Sequence, residues 1–103
     1  MDRVEKIKQF LKDNPNDSFL KHALALEYIK AGNDGEAENL FWEILQAHED
    51  YVGSYYHLGK LLERNGNEQQ AVEVYAKGMQ VAKAAGDAHA LNELRAAWED
   101  LTY

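Results

Sequence analysis

The chain has no cysteine and only one proline among its 103 residues. Without cysteine, disulfides, thiolate nucleophiles and Cys-ligated zinc are excluded. Basic residues are scarce: 11 Lys and Arg stand against 18 Asp and Glu, giving a formal charge of −7. That balance argues against a nucleic-acid backbone or an anionic membrane as partner, since both require clustered cations. No stretch approaches the ~18 apolar residues of a membrane span. The opening Met1-Asp2-Arg3-Val4-Glu5-Lys6 lacks the apolar core of a signal peptide, so a cytoplasmic location is expected. What is present is a 46% hydrophobic composition, too high for a disordered tail. The length fits one domain of roughly 100–150 residues.

Sliding the chain against itself by 34 residues brings distinct features into register. Gly32-Asn33 falls on Gly66-Asn67, Glu36-Ala37 on Gln70-Ala71, Leu24-Ala25 on Leu58-Gly59, and Phe41 on Tyr75. The chain therefore divides into residues 1–17, 18–51, 52–85 and 86–103, two whole units with about half a unit at each end.

Each unit reads as two helices. Leu20, Leu24 and Tyr28 recur at spacing four in the first, and Tyr55, Leu58 and Leu62 form the matching row in the second. Such a row makes one apolar stripe on a helix of 3.6 residues per turn. Gly32 and Gly66 are expected to end these helices in the left-handed conformation. Asn33 and Asn67, each followed three residues later by Glu36 or Gln70, predict a capping box at the start of the next helix. Gly59 sits mid-helix, where glycine costs about 1 kcal/mol relative to alanine. With Ala25, Ala37 and Ala71 it points to close helix–helix approach, and Phe41 and Tyr75 are expected to fill the space between successive hairpins.

In this small/large pattern the units resemble tetratricopeptide repeats, whose unit is a 34-residue helical hairpin. The second unit carries the family's aromatic–x–x–Leu-Gly element as Tyr55-Tyr56-His57-Leu58-Gly59, followed by Gly66, Ala71 and Tyr75. In the first, Lys21 takes the aromatic site, Ala25 the glycine site and Glu49 the closing proline; Ile44 and Gly78 replace the usual alanine. Pro15, 34 residues before Glu49, closes a half-unit whose helix runs from Val4 to Lys12. The resemblance implies an all-α fold, a right-handed superhelical solenoid of about six helices forming a single domain. It also implies a non-catalytic scaffold for protein–protein interaction, without cofactor.

The ends are expected to act as caps. The N-terminal helix would turn Val4, Ile7, Phe10 and Leu11 inward. After Gly86-Asp87, a stop and an N-cap, the last helix would bury Leu91, Leu94, Trp98 and Leu101.

Candidate chemistry is sparse. His22, His48, His57 and His89 are scattered, with no His-Glu-x-x-His element, so no metal site is expected. Ser18, Ser54 and Thr102 lack a glycine-flanked elbow, and no glycine run cradles a phosphate. The informative residues are those that the resemblance places on the concave surface. They are Phe19, His22, Leu26, Ile29 and Lys30 from the first unit, and Tyr56, Lys60, Glu63 and Arg64 from the second, with Leu94 from the last helix. Phe19, His22, Leu26 and Ile29 form a second apolar row beside the core stripe, either an open groove floor or a face packed under the N-terminal helix. Charge is uneven as well: residues 18–51 hold 7 acidic and 2 basic residues, residues 52–85 hold 3 and 4. Lys30, Lys60 and Arg64 are expected to give the groove a cationic wall, suited to a peptide or partner helix with an apolar anchor and an acidic neighbour. The family's carboxylate clamp is not reproduced, since His22 and Leu26 occupy its first-unit positions. Trp42, whose counterpart one unit later is Ala76, either packs on a neighbouring helix or anchors a homodimer. Self-association, or service as part of a larger protein, is the alternative function.

Overall fold

Three glycines mark where the chain turns. In the computed structural model, which describes residues 2–103, Gly32, Gly66 and Gly86 take φ of +81°, +85° and +71°. Left-handed backbone of this kind is open to glycine at little cost. Between these points lie six helices: α1 (Arg3–Asp13), α2 (Ser18–Lys30), α3 (Asp34–Ala47), α4 (Gly53–Arg64), α5 (Glu68–Ala85) and α6 (Ala88–Thr102). No strand occurs among the described residues, and no helix among them is long and apolar enough to cross a membrane.

Each glycine closes the preceding helix with a paired hydrogen bond. The Gly32 amide donates to the Ile29 carbonyl at 3.1 Å and the Asn33 amide to the Tyr28 carbonyl at 2.8 Å. Gly66 and Asn67 repeat this on Glu63 and Leu62, and Gly86 and Asp87 on Lys83 and Ala82. This is the Schellman closure, which satisfies carbonyls that a helix end leaves orphaned. The next helix begins at once, giving tight antiparallel hairpins.

The expected capping boxes do not form. Neither Asn33 nor Asn67 makes a side-chain cap hydrogen bond, whereas Asp2, Asp17 and Asp87 each accept from a backbone amide of the following turn. The backbone explains the difference. Asp2, Asp17 and Asp87 have ψ of 171°, 108° and 87°, while Asn33 and Asn67 have 65° and 60°. At the two asparagines the chain is turned away from the extended conformation that presents a capping side chain.

The helices gather into two compact units, Met1–His48 and Glu49–Tyr103. In the first, Leu24 and Ala25 of α2 pack with Ala37, Phe41 and Ile44 of α3, all buried, and α1 adds Ile7. Ser18 is 9% exposed, and its Oγ is hydrogen-bonded to His48 Nδ1 at 2.5 Å, closing the open end of this hairpin. Helix α1 is fixed to α2 by the Arg3–Glu27 ion pair at 3.1 Å and by Lys8 Nζ above the Tyr28 ring. Contrary to expectation, Phe10 is 56% exposed. Ile7 is buried and Val4 and Leu11 half-buried. At 100° per residue Phe10 lies on the flank of that row, not within it.

In the second unit, Leu58, Leu61 and Leu62 of α4 meet Ala71, Val74 and Tyr75 of α5, and α6 contributes Leu94 and Ala97. Fully burying each such leucine supplies about 1.5–3 kcal/mol. The mid-helix Gly59 is required by Tyr75: a Cβ at 59 would lie 2.1 Å from Tyr75 Cε1. The aromatic wedge thus seats on the glycine of its own hairpin. The α4 end is tied down by the Tyr55 hydroxyl, which donates to the Glu49 carbonyl at 2.6 Å, while Lys77 pairs with the Glu49 carboxylate at 3.0 Å.

Candidate protein-binding surfaces

Helix α2 is apolar on more than its core side. Leu24 and Ala25 face the core, and a second row beside them begins with Phe19, which is 70% exposed. His22, Leu26 and Ile29 continue that row and are half-buried. His22 stands edge-on to the buried Phe41 ring, with centroids 5.5 Å apart. The ties from α1 fall on Glu27 and Tyr28 and leave Phe19 open. Lys30 ends the row, and its Nζ lies 3.5 Å from Glu27 Oε2, the same oxygen that holds Arg3. Lys21, at the aromatic site of the repeat, lies 3.4 Å from Glu43 of α3.

The α4 residues assemble a different surface. Lys60 Nζ lies 5.5 Å from the Tyr56 ring centroid and 3.6 Å from Glu63 Oε2. Glu63 also accepts a hydrogen bond from the Tyr75 hydroxyl. Tyr56 in turn sits near Tyr75, with centroids 6.5 Å apart, and edge-on to His57. One carboxylate therefore serves a phenol from α5 and an ammonium from α4. Burial, reinforced by the Glu63 hydrogen bond and charge, holds the Tyr75 phenol well above its ordinary range. Burial lowers the His57 pKa, with Glu93 opposing the shift.

The lysines expected to form a cationic wall enter it as exposed surface ion pairs. Lys30 and Lys60 each have a carboxylate one turn away, and Lys30 shares its carboxylate with Arg3. Leu94, expected on the binding surface, is 1% exposed and belongs to the core. Arg64 is exposed, as expected of a surface residue. Trp42 is half-buried, and its indole N–H donates to Glu38 at 3.1 Å along α3. The Tyr75–Glu63 bond was not anticipated. Its trace in the sequence is a tyrosine and an acid at facing turns of one hairpin. Among the described residues no group of three or more His, Cys, Asp or Glu could hold a metal ion.

Comparison with known proteins agrees with this architecture. A family model described as tetratricopeptide repeat matches residues 1–82. The crystal structure of a tetratricopeptide repeat domain protein from Salinibacter ruber is 42% identical, covers 84% of this chain and 96% of its own, and superposes with a TM-score of 0.81. A solution structure of a Bordetella parapertussis protein, 20% identical, covers 99% of this chain and 89% of its own at a TM-score of 0.84. Among curated proteins, mouse interferon-induced protein with tetratricopeptide repeats 3 is 26% identical over 76 residues. That match takes in 74% of this chain but only 19% of the mouse protein.

Proposed function

Because the chain belongs to the tetratricopeptide repeat family, we propose that it binds a peptide or helix of another protein, with the α2 row as its apolar contact. The family fold indicates a scaffold for protein–protein interaction, and its members are generally non-catalytic. The observation that carries the finer reading is the exposure of Phe19 at the head of the Phe19–His22–Leu26–Ile29 row. An aromatic ring left 70% in water, beside apolar neighbours, is surface that an apolar anchor of a partner can cover. In the second unit the face of Tyr56, with Lys60 above it, offers an aromatic contact with a polar edge. Since the lysines are paired, the acidic neighbour of the anchor has a smaller part in this reading than apolar burial.

The test begins with peptides selected from a random library against the intact chain. Their affinities are then measured for the wild type, Phe19→Ser and Tyr56→Ala. Phe19→Ser is expected to weaken binding by about tenfold or more, the size of a modest hot spot. Unchanged affinity in Phe19→Ser removes the α2 row from the reading.

A further inference from the structure

Two cations of the second unit have a setting that the repeat does not explain. Lys60 and Lys77 are held by Glu63 and Glu49. Lys83 and Arg95, by contrast, have no carboxylate within ion-pair distance among the described residues. Both line a cavity of about 310 Å³ between α5 and α6, whose other walls include Ala76, Met79, Leu91 and Trp98. Lys83, in the last turn of α5, is well placed for the helix dipole. Arg95, in the middle of α6, has no such reason.

The spacing makes a slot. Ala76, Met79 and Lys83 form a row on α5, and Leu91, Arg95 and Trp98 form a row on α6. The helices run antiparallel across Gly86, so Trp98 stands by Ala76, Arg95 by Met79 and Leu91 by Lys83. Each row is about 10 Å long, enough for two or three residues of an extended peptide. The opening depends on Ala76: 34 residues earlier the same position holds Trp42, and the position of Lys83 holds Glu49. The slot also involves α6, which lies outside the residues 1–82 matched by the family model.

We propose that this slot docks a second peptide element, one that places a large apolar side chain next to carboxylates. The side chain would lie against Trp98, Met79 and Leu91, where an indole and a thioether adapt to a ring or a branched chain. The carboxylates would meet the Arg95 guanidinium, whose planar fork matches them, and the Lys83 ammonium. In a chain of net charge −7, two cations lining one groove together with Gln80 and apolar side chains favour acidic ligands locally. This site is independent of the α2 row.

The chain has two tryptophans and six tyrosines, so Trp42→Phe leaves Trp98 as the only tryptophan, read by exciting beyond the tyrosine band. In that background the full chain is titrated with a capped pentapeptide carrying one phenylalanine followed by two aspartates between glycines, and with its dilysine counterpart. The diaspartate peptide should produce a saturable change in Trp98 emission and the dilysine peptide none. Lys83→Glu with Arg95→Glu should weaken the first by about tenfold or more and create binding of the second, a gain that an unfolded variant cannot give. Phe19→Ser should leave both results unchanged, which separates failure here from failure of the α2 reading. Equal responses to the two peptides, no response to either, or an acidic preference that survives the charge reversal would overturn the proposal. So would a Trp98 emission that changes with protein concentration alone, which would assign the slot to a second copy of the chain.

Discussion

A Cβ placed on Gly78 would lie 2.7 Å from the Cβ of Tyr55. The contact is between an atom next to the backbone of α4 and the backbone of α5, with Leu94 Cδ1 of α6 at 3.1 Å on the other side. Repeats of this family usually carry alanine here, so Gly78→Ala is the change that consensus reasoning recommends. We expect the opposite of stabilisation. Helix propensity favours alanine by about 1 kcal/mol, but overpacking a closed core costs about 1–3 kcal/mol, and a Cβ cannot swing aside. Urea unfolding should show a lower midpoint for Gly78→Ala with an unchanged slope.

Tyr75 governs stability in alkali. Its phenol is held above the ordinary value of 10.0 by burial first and by Glu63 second. The unfolded phenol loses its proton near that value while the folded one keeps it. Above it the unfolded state binds fewer protons, and stability falls as pH rises. Tyr75→Phe should flatten the fall in unfolding midpoint between about pH 9 and pH 11. Some slope should remain, because burial also raises Tyr55. At neutral pH the same variant should cost about 0.5–1.5 kcal/mol for the lost hydrogen bond.

On the acid side, burial lowers the His57 pKa from its ordinary 6.5. The unfolded imidazole takes a proton before the folded one does. Stability is therefore complete above 6.5 and declines as pH falls from there toward the folded value. His57→Gln should reduce the slope of stability against pH in that window. An unchanged slope would show that other groups dominate.

The helix starts separate two kinds of residue that look alike in sequence. Asp17 accepts from the Leu20 amide at 3.1 Å, while Asn33 makes no such bond. Asp17→Ala should cost about 1 kcal/mol and Asn33→Ala only a few tenths. Thermal melts of the two single variants read this difference directly.

The helical hairpins were legible because period and punctuation agree: an apolar row at spacing four, then a glycine able to take positive φ. The third stop, at Gly86, followed the same rule and brought a working cap at Asp87. The sequence was less informative where the outcome depends on a few tens of degrees or a single ångström. Asn33 looks like a cap until its ψ is known. Phe10 sits next to an inward row by number but on its flank by angle. Composition counted Lys30 and Lys60 as charges without showing which carboxylate lies within reach of each. Leu94 was placed on the surface by carrying over a repeat position into α6, whereas Gly78 leaves a recess that draws the leucine inward. The apolar excess of α2 was legible throughout, since its row is separate from that of Leu24.

Gly59, Tyr75 and Glu63 also bear on how the two repeats differ. Their register counterparts are Ala25, Phe41 and Ile29, so one repeat has a methyl, a plain ring and an aliphatic chain where the other has a hydrogen, a phenol and an acid. These are alternative matched trios. Transplanting one member alone strands a hydroxyl or drives a methyl into a ring, whereas moving all three together carries fit and polarity across. A designer who recombines the repeats must therefore treat the trio as a single unit of inheritance.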